Sequence, residues 1–223
     1  MTNKSEWYNR AAMAVAAPGL KFIFSAVIIT VLFFLIGLTF IGWLALFVTL
    51  FICWFFRDPE RAIPNDPNGI ISPADGKIIV VEEKVNNEFT KQGCIKVSIF
   101  MNVFNVHVNR IPFNGVIEDV IYVPGKFINA SFDKASEHNE RNALVIRTES
   151  GLLYGVVQIA GLIARRIVCE VKKGDVVKRG SRYGMICFGS RLDLYLPLDS
   201  KISVSIGQKV QAGTTILAYF KEQ

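Results

Sequence analysis

The pattern Gly174-x-x-Val177-x-x-Gly180 returns as Gly207-x-x-Val210-x-x-Gly213 late in the 223-residue chain. Each copy is followed by an apolar stretch, Met185-Ile186-Cys187-Phe188 after the first and Ile216-Leu217-Ala218-Tyr219 after the second. Glycines at both ends of so short a segment mark turns, and the valine between them suits a strand. The repeat predicts two quasi-symmetric β-hairpins, because two copies are too few for a solenoid.

The chain from Ile70 onward continues the all-β pattern. Short apolar and β-branched runs alternate with turn signals, at positions 77–81, 95–100, 116–123, 144–148, 154–159 and 167–171. That spacing is typical of an all-β domain, and the repeated hairpins resemble those of lipoyl-like barrel-sandwich domains. We predict a mainly β domain of the lipoyl-like barrel-sandwich type over residues 70–223, preceded by an N-terminal helical membrane hairpin.

The front of the chain is apolar. No charged residue occurs from Phe22 to Phe56; as one helix this stretch would be about 50 Å long, whereas a bilayer core is about 30 Å thick. Two helices that turn between Gly37 and Gly42 fit better, and basic residues on both flanks favour both ends on the cytoplasmic side. A signal peptide has a shorter apolar core, and a buried pair of soluble helices is the alternative. We predict a cell-membrane anchor over residues 1–56 and a proline-rich linker over 57–69.

The cysteines and histidines argue against a metal site. Cys53, Cys94, Cys169 and Cys187 are scattered and show no C-x-x-C spacing, which is typical of reduced thiols that pack as small apolar side chains. The two histidines form no cluster with cysteines. The sequence therefore predicts no metal.

The net charge of +6 suits either a nucleic acid or an anionic membrane. The basic residues neither follow a helical face nor alternate with aromatic stacking partners, so we predict no nucleic-acid partner. Anionic lipid attracts a tethered domain by about 1 kcal/mol per basic side chain near the surface, and a solvated charged face is the alternative. The basic group consists of Arg165, Arg166, Lys172, Lys173, Lys178, Arg179 and Arg182.

Four further segments follow one another in a fixed order along the chain. They are Phe55-Phe56-Arg57-Asp58-Pro59-Glu60-Arg61, Ser72-Pro73-Ala74-Asp75-Gly76-Lys77, Asn105-Val106-His107-Val108-Asn109-Arg110-Ile111-Pro112 and Phe188-Gly189-Ser190-Arg191. Together, with an apolar segment in front, they resemble the short-form phosphatidylserine decarboxylase proenzymes. The resemblance covers nearly the whole chain and implies a lyase that acts on a membrane lipid.

The resemblance implies cleavage between Gly189 and Ser190. A serine after glycine can attack the preceding carbonyl, because glycine has no Cβ that blocks the approach, whereas Gly180-Ser181 is interpreted as an ordinary turn. The resulting ester loses its acyl half by elimination, and hydrolysis leaves a pyruvoyl group at the new N-terminus. We expect a heterodimer of residues 1–189 and 190–223 that stays paired through the sheet.

Decarboxylation of an amino acid needs an acceptor for two electrons, which no ordinary side chain provides. A ketone provides one, and the resemblance implies that the substrate amine condenses with the pyruvoyl carbonyl derived from Ser190. Pyridoxal phosphate needs a lysine and a phosphate cradle, and the sequence shows neither motif. We expect a pyruvoyl group, no pyridoxal phosphate and no metal, and the conversion of phosphatidylserine into phosphatidylethanolamine and CO2.

Self-cleavage needs a base for Ser190 and stabilisation of the oxyanion. The resemblance assigns self-cleavage to Asp75, for which a hairpin-turn residue is the alternative interpretation. His107 lies in an alternating run that predicts a strand with the histidine on its polar side, and histidine titrates near neutral pH. The long form of the family carries a second histidine where this chain has Arg110, so His138 is an alternative for one of the two roles, self-cleavage or reprotonation.

Arg110 and Arg191 are the candidate ligands for the substrate phosphate or carboxylate, because a guanidinium pairs with both in a bidentate way; surface ion pairs are the alternative. Two other functions stay open. An archaetidylserine decarboxylase would apply the same chemistry to an ether lipid. A membrane-tethered lipoyl-like binding module would use Gly189-Ser190 only as a turn. The sequence also leaves a homo-oligomer open.

Overall fold

The computed structural model describes residues 14–129, 138–162, 166–187 and 190–221. These residues belong to two compact units, which are divided between Glu60 and Arg61. The division falls inside the proline-rich segment that the sequence marks as a linker.

The first unit is a pair of apolar helices. A short 3-10 helix at Ala17–Gly19 leads into α1 (Leu20–Leu35), and α2 (Thr39–Phe55) follows after a tight turn. Gly37 takes a φ of +80° in this turn, a left-handed conformation that costs glycine little.

Two threonines meet between the helices, whereas many of the apolar side chains are exposed. Thr30 Oγ1 and Thr49 Oγ1 form a hydrogen bond of 2.9 Å between the helices, and both residues are buried. The side chains of Phe40 and Phe47 are exposed. Among the described residues, one continuous helical stretch, Ala17–Leu35, which joins the 3-10 helix and α1, is long and apolar enough to cross a membrane, with a mean hydropathy of 2.2.

The second unit is built from β-strands. The described strands are β1 (Gly69–Ile71), β2 (Gly76–Asn87), β3 (Gln92–Met101), β4 (Val108–Arg110), β5 (Gly115–Val123), β6 (Arg141–Arg147), β7 (Leu153–Ile159), β8 (Ile167–Cys169), β9 (Val176–Val177), β10 (Arg182–Ile186), β11 (Ser190–Pro197), β12 (Lys201–Ile202), β13 (Lys209–Val210) and β14 (Ile216–Tyr219). The predicted mainly β class is confirmed, and an apolar helical segment precedes it as expected.

The strands form one large sheet and two small ones. The large sheet has the order β13-β2-β3-β11-β7-β6-β5-β9, and the small sheets have the orders β1-β14-β12 and β4-β10-β8. The described strand pairs are antiparallel. The two sides of the large sheet have the same arrangement of strands. From the centre outward, the order is β11, β3, β2, β13 on one side and β7, β6, β5, β9 on the other.

The sequence repeat is one part of this symmetry. Val177 in the first copy belongs to β9 and Val210 in the second to β13, and these are the two edge strands of the large sheet. The glycines that bound both copies have positive φ. The fold therefore consists of two similar halves, β1–β3 with β11–β14 and β4–β10, which we call the Asp75 half and the Asn114 half after the residue that precedes β2 and β5, respectively.

The main core lies on one face of the large sheet. Leu192, Leu194 and Leu196 of β11 point into it and are fully buried, together with Ile99 of β3 and Val156 of β7. The opposite face buries a second, smaller cluster that includes Tyr195. Because side chains alternate along a strand, β11 contributes Ser190 to the face of the main core and Arg191 to the opposite face.

Candidate active site

Several strands of the large sheet begin or end at the same level, which we call the site end. Strands β2 and β11 begin there at Gly76 and Ser190, and β3 ends there at Met101. Met101 pairs directly with Ser190. On the other side of β11, Ile159 at the end of β7 pairs with Arg141 at the beginning of β6.

Ser190 is fully buried at the site end. Its Oγ atom has no hydrogen-bond partner among the described residues. Phe188 and Gly189 lie outside the described residues, so the geometry of the proposed cleavage bond itself is not described. Ser190 is the first residue of β11.

Asp75 immediately precedes β2 at the same end of the sheet. Its Oδ1 atom accepts a hydrogen bond of 2.8 Å from the backbone N–H of Ala212. Since neighbouring strands are about 4.8 Å apart, the start of β2 lies about 10 Å from Ser190, with β3 between them. Asp75 is therefore both a turn residue and a buried carboxylate near the proposed cleavage site.

Arg61 is the partner of Asp75 that the sequence analysis missed. Its Nη2 atom lies 2.9 Å from Asp75 Oδ2 and 3.2 Å from Oδ1, and only 9% of the Arg61 side chain and 12% of the Asp75 side chain are exposed. The sequence showed Arg61 only as part of a motif and as a charge beside the apolar segment. No local pattern could pair residues that far apart.

His107 occupies a different environment from the predicted one. The alternating run suggested one strand with Phe104, Val106 and Val108 on one side and the histidine on a polar side. In the structure a turn precedes the histidine and β4 begins only at Val108. Phe104 is 63% exposed, whereas His107 is fully buried. The prediction of a polar-facing strand position is therefore wrong.

The backbone nevertheless brings His107 towards the proposed cleavage site. Its carbonyl accepts a hydrogen bond from the N–H of Ile186, the last residue of β10. Ile186 is four residues before Ser190, a stretch that spans at most about 14 Å. The loop before β4 therefore contacts the end of β10, which is four residues before Ser190.

A row of buried amides lies on the same face of the sheet as Ser190, and sequence analysis missed it. Gln158 Nε2 donates to Asn109 Oδ1 at 2.9 Å, and Asn142 Nδ2 donates to Gln158 Oε1 at 3.3 Å. Asn109 Nδ2 faces the sulfur of Met101 at 3.8 Å. A thioether is a weak acceptor, so the amide N–H group of Asn109 at the end of the row is only weakly hydrogen-bonded. It lies beside Met101, the residue that pairs with Ser190.

His138 lies outside this buried layer. Its side chain is exposed, and its carbonyl accepts a hydrogen bond from the N–H of Lys126. The neighbouring Asn139 is fully buried and donates to the carbonyl of Ala160 at 2.7 Å. The structure thus brings Asp75 and Ser190 to one end of the sheet and His107 towards it, but leaves the side chain of His138 in solvent.

The two arginines expected to bind substrate are both buried. Arg110 donates through Nη1 to the carbonyl of Gly180 at 2.9 Å. Arg191 is fully buried, and its Nε atom lies 2.6 Å from Asp193 Oδ1. Arg191 projects from the face of β11 opposite to Ser190, an orientation not expected of a ligand for a substrate bound at Ser190.

The thiols in the β unit have the properties of packed side chains. Burial raises the pKa of the Cys94 and Cys169 thiols, so both are protonated at neutral pH. Within the described ranges, no group of three or more His, Cys, Asp or Glu side chains could hold a metal ion.

Comparison with known proteins identifies the family. A model of the family "Phosphatidylserine decarboxylase" matches residues 48–218. Relatives named phosphatidylserine decarboxylase proenzyme include one from Syntrophus aciditrophicus, 52% identical over 92% of this chain and 97% of the relative. One from Burkholderia vietnamiensis is 50% identical over 93% of this chain and 97% of the relative. Another, from Ralstonia pickettii, is 56% identical over 77% of this chain and 79% of the relative.

With matches of this extent, the chain is a decarboxylase, which is a class of lyase. It belongs to the phosphatidylserine decarboxylase family. The family that the four sequence segments suggested is confirmed.

Proposed function

We propose that this chain is a proenzyme that cleaves itself between Gly189 and Ser190. The cleaved form then decarboxylates phosphatidylserine to phosphatidylethanolamine and CO2 with a pyruvoyl group derived from Ser190. The proenzyme relatives support processing, and the following features of the chain support this particular bond and chemistry.

The observation that carries the proposal is the state of Ser190. Its hydroxyl is buried and has no hydrogen-bond partner among the described residues. Such a group costs about 1–3 kcal/mol relative to a satisfied one, and it needs a reason in a native protein. A nucleophile that must lose its proton and move onto a neighbouring carbonyl supplies that reason.

The position of Ser190 between the two similar halves of the fold also favours cleavage at the Gly189–Ser190 bond. Strands β7–β10 and β11–β14 are corresponding segments of the two halves, and residue 190 is where the second begins. Cleavage before Ser190 leaves both segments complete. The small chain stays bound, because β11 pairs with β3 and β7, β13 with β2, and β14 with β1.

Self-cleavage follows from this arrangement in balanced steps. Ser190 Oγ loses its proton to a base and attacks the carbonyl carbon of Gly189, and the acyl group moves from nitrogen to oxygen. A base then removes the Cα proton of residue 190 as the Cβ–O bond breaks, which frees the carboxylate of Gly189 and leaves dehydroalanine at position 190. Hydrolysis releases ammonia and gives the pyruvoyl group, which supplies an electron-accepting carbonyl when formed.

We assign proton transfer to Asp75 and His107. Asp75 is fixed by Arg61 and by the N–H of Ala212, which suits an acid–base group of defined orientation. The carbonyl of His107 accepts a hydrogen bond from Ile186, four residues before Ser190. The exposure of His138 favours His107 over His138 for a role in the buried site, and Arg110 remains the candidate ligand for the substrate phosphate.

Two exposed apolar side chains favour a substrate that arrives from a membrane. Phe104 and Leu162, 63% and 62% exposed, each lie three residues beyond strands β3 and β7. These strands flank β11 at the site end. We propose that these two side chains insert into the lipid interface beside the site.

We accordingly propose that the chain works at the cytoplasmic face of the cell membrane, anchored by its apolar helices. Phosphatidylserine in an anionic bilayer is the partner. Of the basic group noted in the sequence, Arg165 lies outside the described residues and Arg182 is buried. The exposed members, which are available to anionic lipid, are Arg166, Lys172, Lys173 and Lys178.

The mass of the purified chain under denaturing conditions tests the proposal. We expect two chains, divided between Gly189 and Ser190, with the small chain lighter than its unmodified sequence because a ketone replaces an amine. Ser190→Ala should remain a single, inactive chain. Ser181→Ala is the matched control, since Ser181 also follows a glycine, and it should be processed like the wild type.

The second part of the test uses substrate. The processed protein, reconstituted into liposomes, should release CO2 from phosphatidylserine that carries a labelled carboxyl group. A wild-type chain that stays intact on prolonged incubation would overturn the pyruvoyl scheme, as would a Ser190→Ala variant that decarboxylates phosphatidylserine.

A further inference from the structure

The beginning of β11 carries a buried charge cluster on the face opposite to Ser190. Arg191 and Asp193 are both fully buried, and Arg191 Nε lies 2.6 Å from Asp193 Oδ1. Arg191 Nη2 donates to Ser98 Oγ of β3 at 2.8 Å. Lys96, also on β3, places its Nζ 3.9 Å from Asp193 Oδ2. The side chain of Arg191 thus ties β11 to its neighbouring strand.

The fold itself does not require this cluster. In the Asn114 half, strands β6 and β7 correspond to β3 and β11. Arg191 of β11 pairs with Phe100 of β3, and Leu153 of β7 pairs with Arg147, the residue of β6 that corresponds to Phe100. The residues that correspond to Arg191 and Asp193 are therefore Leu153 and Gly155. Strand β7 pairs with both of its neighbours without buried charge at these positions.

Burial of an ion pair costs desolvation free energy, and proteins with apolar side chains of similar size in its place are often as stable or more stable. A buried pair that one half of the molecule lacks needs a reason beyond packing. The difference between the two strands lies in what precedes them. Strand β7 follows an ordinary turn from β6, whereas β11 begins at the residue that self-cleavage would turn into a chain end.

We propose that Arg191 is a positioning residue that keeps residue 190 in place after the Gly189–Ser190 bond has broken. The inference rests on the proposed function, because only self-cleavage creates the new terminus. Chain ends fray unless something ties them down. Ser190 itself pairs with Met101 on one side only, so the contacts of Arg191 with Asp193 and Ser98 are the first side-chain ties on the new chain.

The inference changes the role expected of Arg191. Its guanidinium contacts the protein on the face away from the reacting residue, and it acts on the reaction through the position of residue 190. In the proenzyme, the peptide bond to Gly189 holds residue 190 as well. Loss of the Arg191 side chain should therefore matter more in the cleaved protein than in the intact chain.

The experiment compares Arg191→Met in two backgrounds of the full chain, the wild type, which cleaves itself, and Ser190→Ala, which does not. Amide hydrogen exchange is measured over the start of β11. In the cleaved protein we expect exchange to speed up by about tenfold or more, with kcat for phosphatidylserine reduced and KM little changed. In the Ser190→Ala chain, exchange should change much less.

Arg141→Met is the matched control. Arg141 lies at the site end on β6 and pairs with Glu88 at 2.8 Å, but no chain end forms next to it. Its loss should affect the cleaved and uncleaved proteins alike. Equal effects of Arg191→Met in the two backgrounds would mean a purely structural role and would overturn the inference.

A second variant covers the case in which Arg191→Met does not fold. Arg191→Met combined with Asp193→Leu removes the Arg191–Asp193 ion pair as a unit, which is close to neutral for stability in other proteins; only Lys96, 3.9 Å from Asp193, keeps its charge. We expect this double variant to fold and to cleave itself but to keep the fast exchange and the low kcat. Full wild-type kcat in the double variant would overturn the inference. A wild-type chain that never cleaves is recognised by its mass, and that result would overturn the proposed function and the role of Arg191 with it.

Discussion

The two halves of the β unit solve the same structural problem with different residues. In the Asp75 half, Oδ1 of Asp75 accepts a hydrogen bond of 2.8 Å from the N–H of Ala212. In the Asn114 half, Oδ1 of Asn114 accepts one of 2.8 Å from the N–H of Arg179. Both acceptors immediately precede a glycine that begins a strand, and both donors immediately precede the last glycine of a repeat copy.

This comparison separates the turn role of Asp75 from its chemical role. One carboxyl or amide oxygen is enough to accept the backbone hydrogen bond, as Asn114 demonstrates. The second oxygen and the charge of Asp75 are extra, and Arg61 is the residue that binds them. Strands β1 and β2, on either side of Asp75, belong to different sheets, so the interpretation of Asp75 as a hairpin-turn residue is wrong. One oxygen accepts the N–H of Ala212, and the other, held by Arg61 at 2.9 Å, is the oxygen that we assign to the proposed proton transfer.

The same difference recurs elsewhere between the halves. Where the Asp75 half has Ser190 and Arg191, the Asn114 half has Leu152 and Leu153. His107, one residue before β4, corresponds to Asn68, one residue before β1. The polar residues proposed for the reaction thus break the symmetry of the fold at positions where an apolar or neutral residue suffices in the other half.

We expect the largest effect on self-cleavage from Asp75→Asn, which replaces Asp75 with the residue type that the other half has at the corresponding position, Asn114. The variant should fold, because asparagine still accepts the N–H of Ala212, but with lower thermal stability, because the largely buried Arg61 loses its carboxylate partner. Self-cleavage should slow by about a hundredfold or more, the scale of a lost acid–base group. A time course of intact mass measures the rate, and calorimetry measures the stability.

Asn114→Asp is the reciprocal control for Asp75→Asn. This variant should leave the rate of self-cleavage unchanged, because Asn114 precedes β5 in the half of the β unit that does not contain Ser190. An Asp75→Asn variant that cleaves itself at the wild-type rate would leave Asp75 with the turn role alone.

His107→Asn should have the next largest effect. It introduces the residue that the other half has at the corresponding position, Asn68, and removes a side chain to which we assign proton transfer. We expect self-cleavage, decarboxylation or both to fall by about a hundredfold. Mass spectrometry and CO2 release from liposomes separate the two steps. His138→Asn is the control and should change each rate less than twofold, because its side chain is exposed. The reverse order of the two variants would assign the role to His138.

The buried amide row offers a test of intermediate size. Gln158→Leu installs the residue found at the corresponding position of β11, Leu196, and leaves the Oδ1 atom of Asn109 without its donor. Unfolding should become easier by about 1–3 kcal/mol. Adding Asn109→Ile, the residue that corresponds to Ile70 of β1, should recover part of that loss. Denaturant unfolding of both single variants and the double variant gives the coupling free energy, and strict additivity would mean that the two amides do not support each other.

The smallest effect is expected at the surface. Leu162→Asp, in the loop after β7, should lower activity on phosphatidylserine in liposomes by about tenfold, because one leucine no longer partitions into lipid. Activity on a short-chain, soluble phosphatidylserine should hardly change. Leu198→Asp is the control in the corresponding loop after β11, where Leu198 is 51% exposed but lies at the opposite end of the sheet. Equal losses for both variants would argue against lipid contact at the site end.

Much of the fold could be predicted because its signals are local. Glycines at fixed spacing and short apolar runs predict strands and turns, since backbone conformation follows from neighbouring residues. The same reasoning failed for the run from Phe104 to Val108, where period-two alternation suggested a strand but the chain turns. The turn there is made by Asn102, whose Oδ1 accepts a hydrogen bond from the N–H of Phe104, a competition that alternation does not reveal.

The sequence by itself determined the mainly β class, the apolar front of the chain, the family and the candidate serine, because each depends on residue types at short range or in a fixed order. Only the tertiary structure decided what these residues meet. It paired Asp75 with Arg61, turned Arg191 away from Ser190, and revealed that the repeat forms the two edges of one sheet. Those contacts join residues far apart in the chain, and their geometry depends on strand register, which is set by packing of the whole sheet.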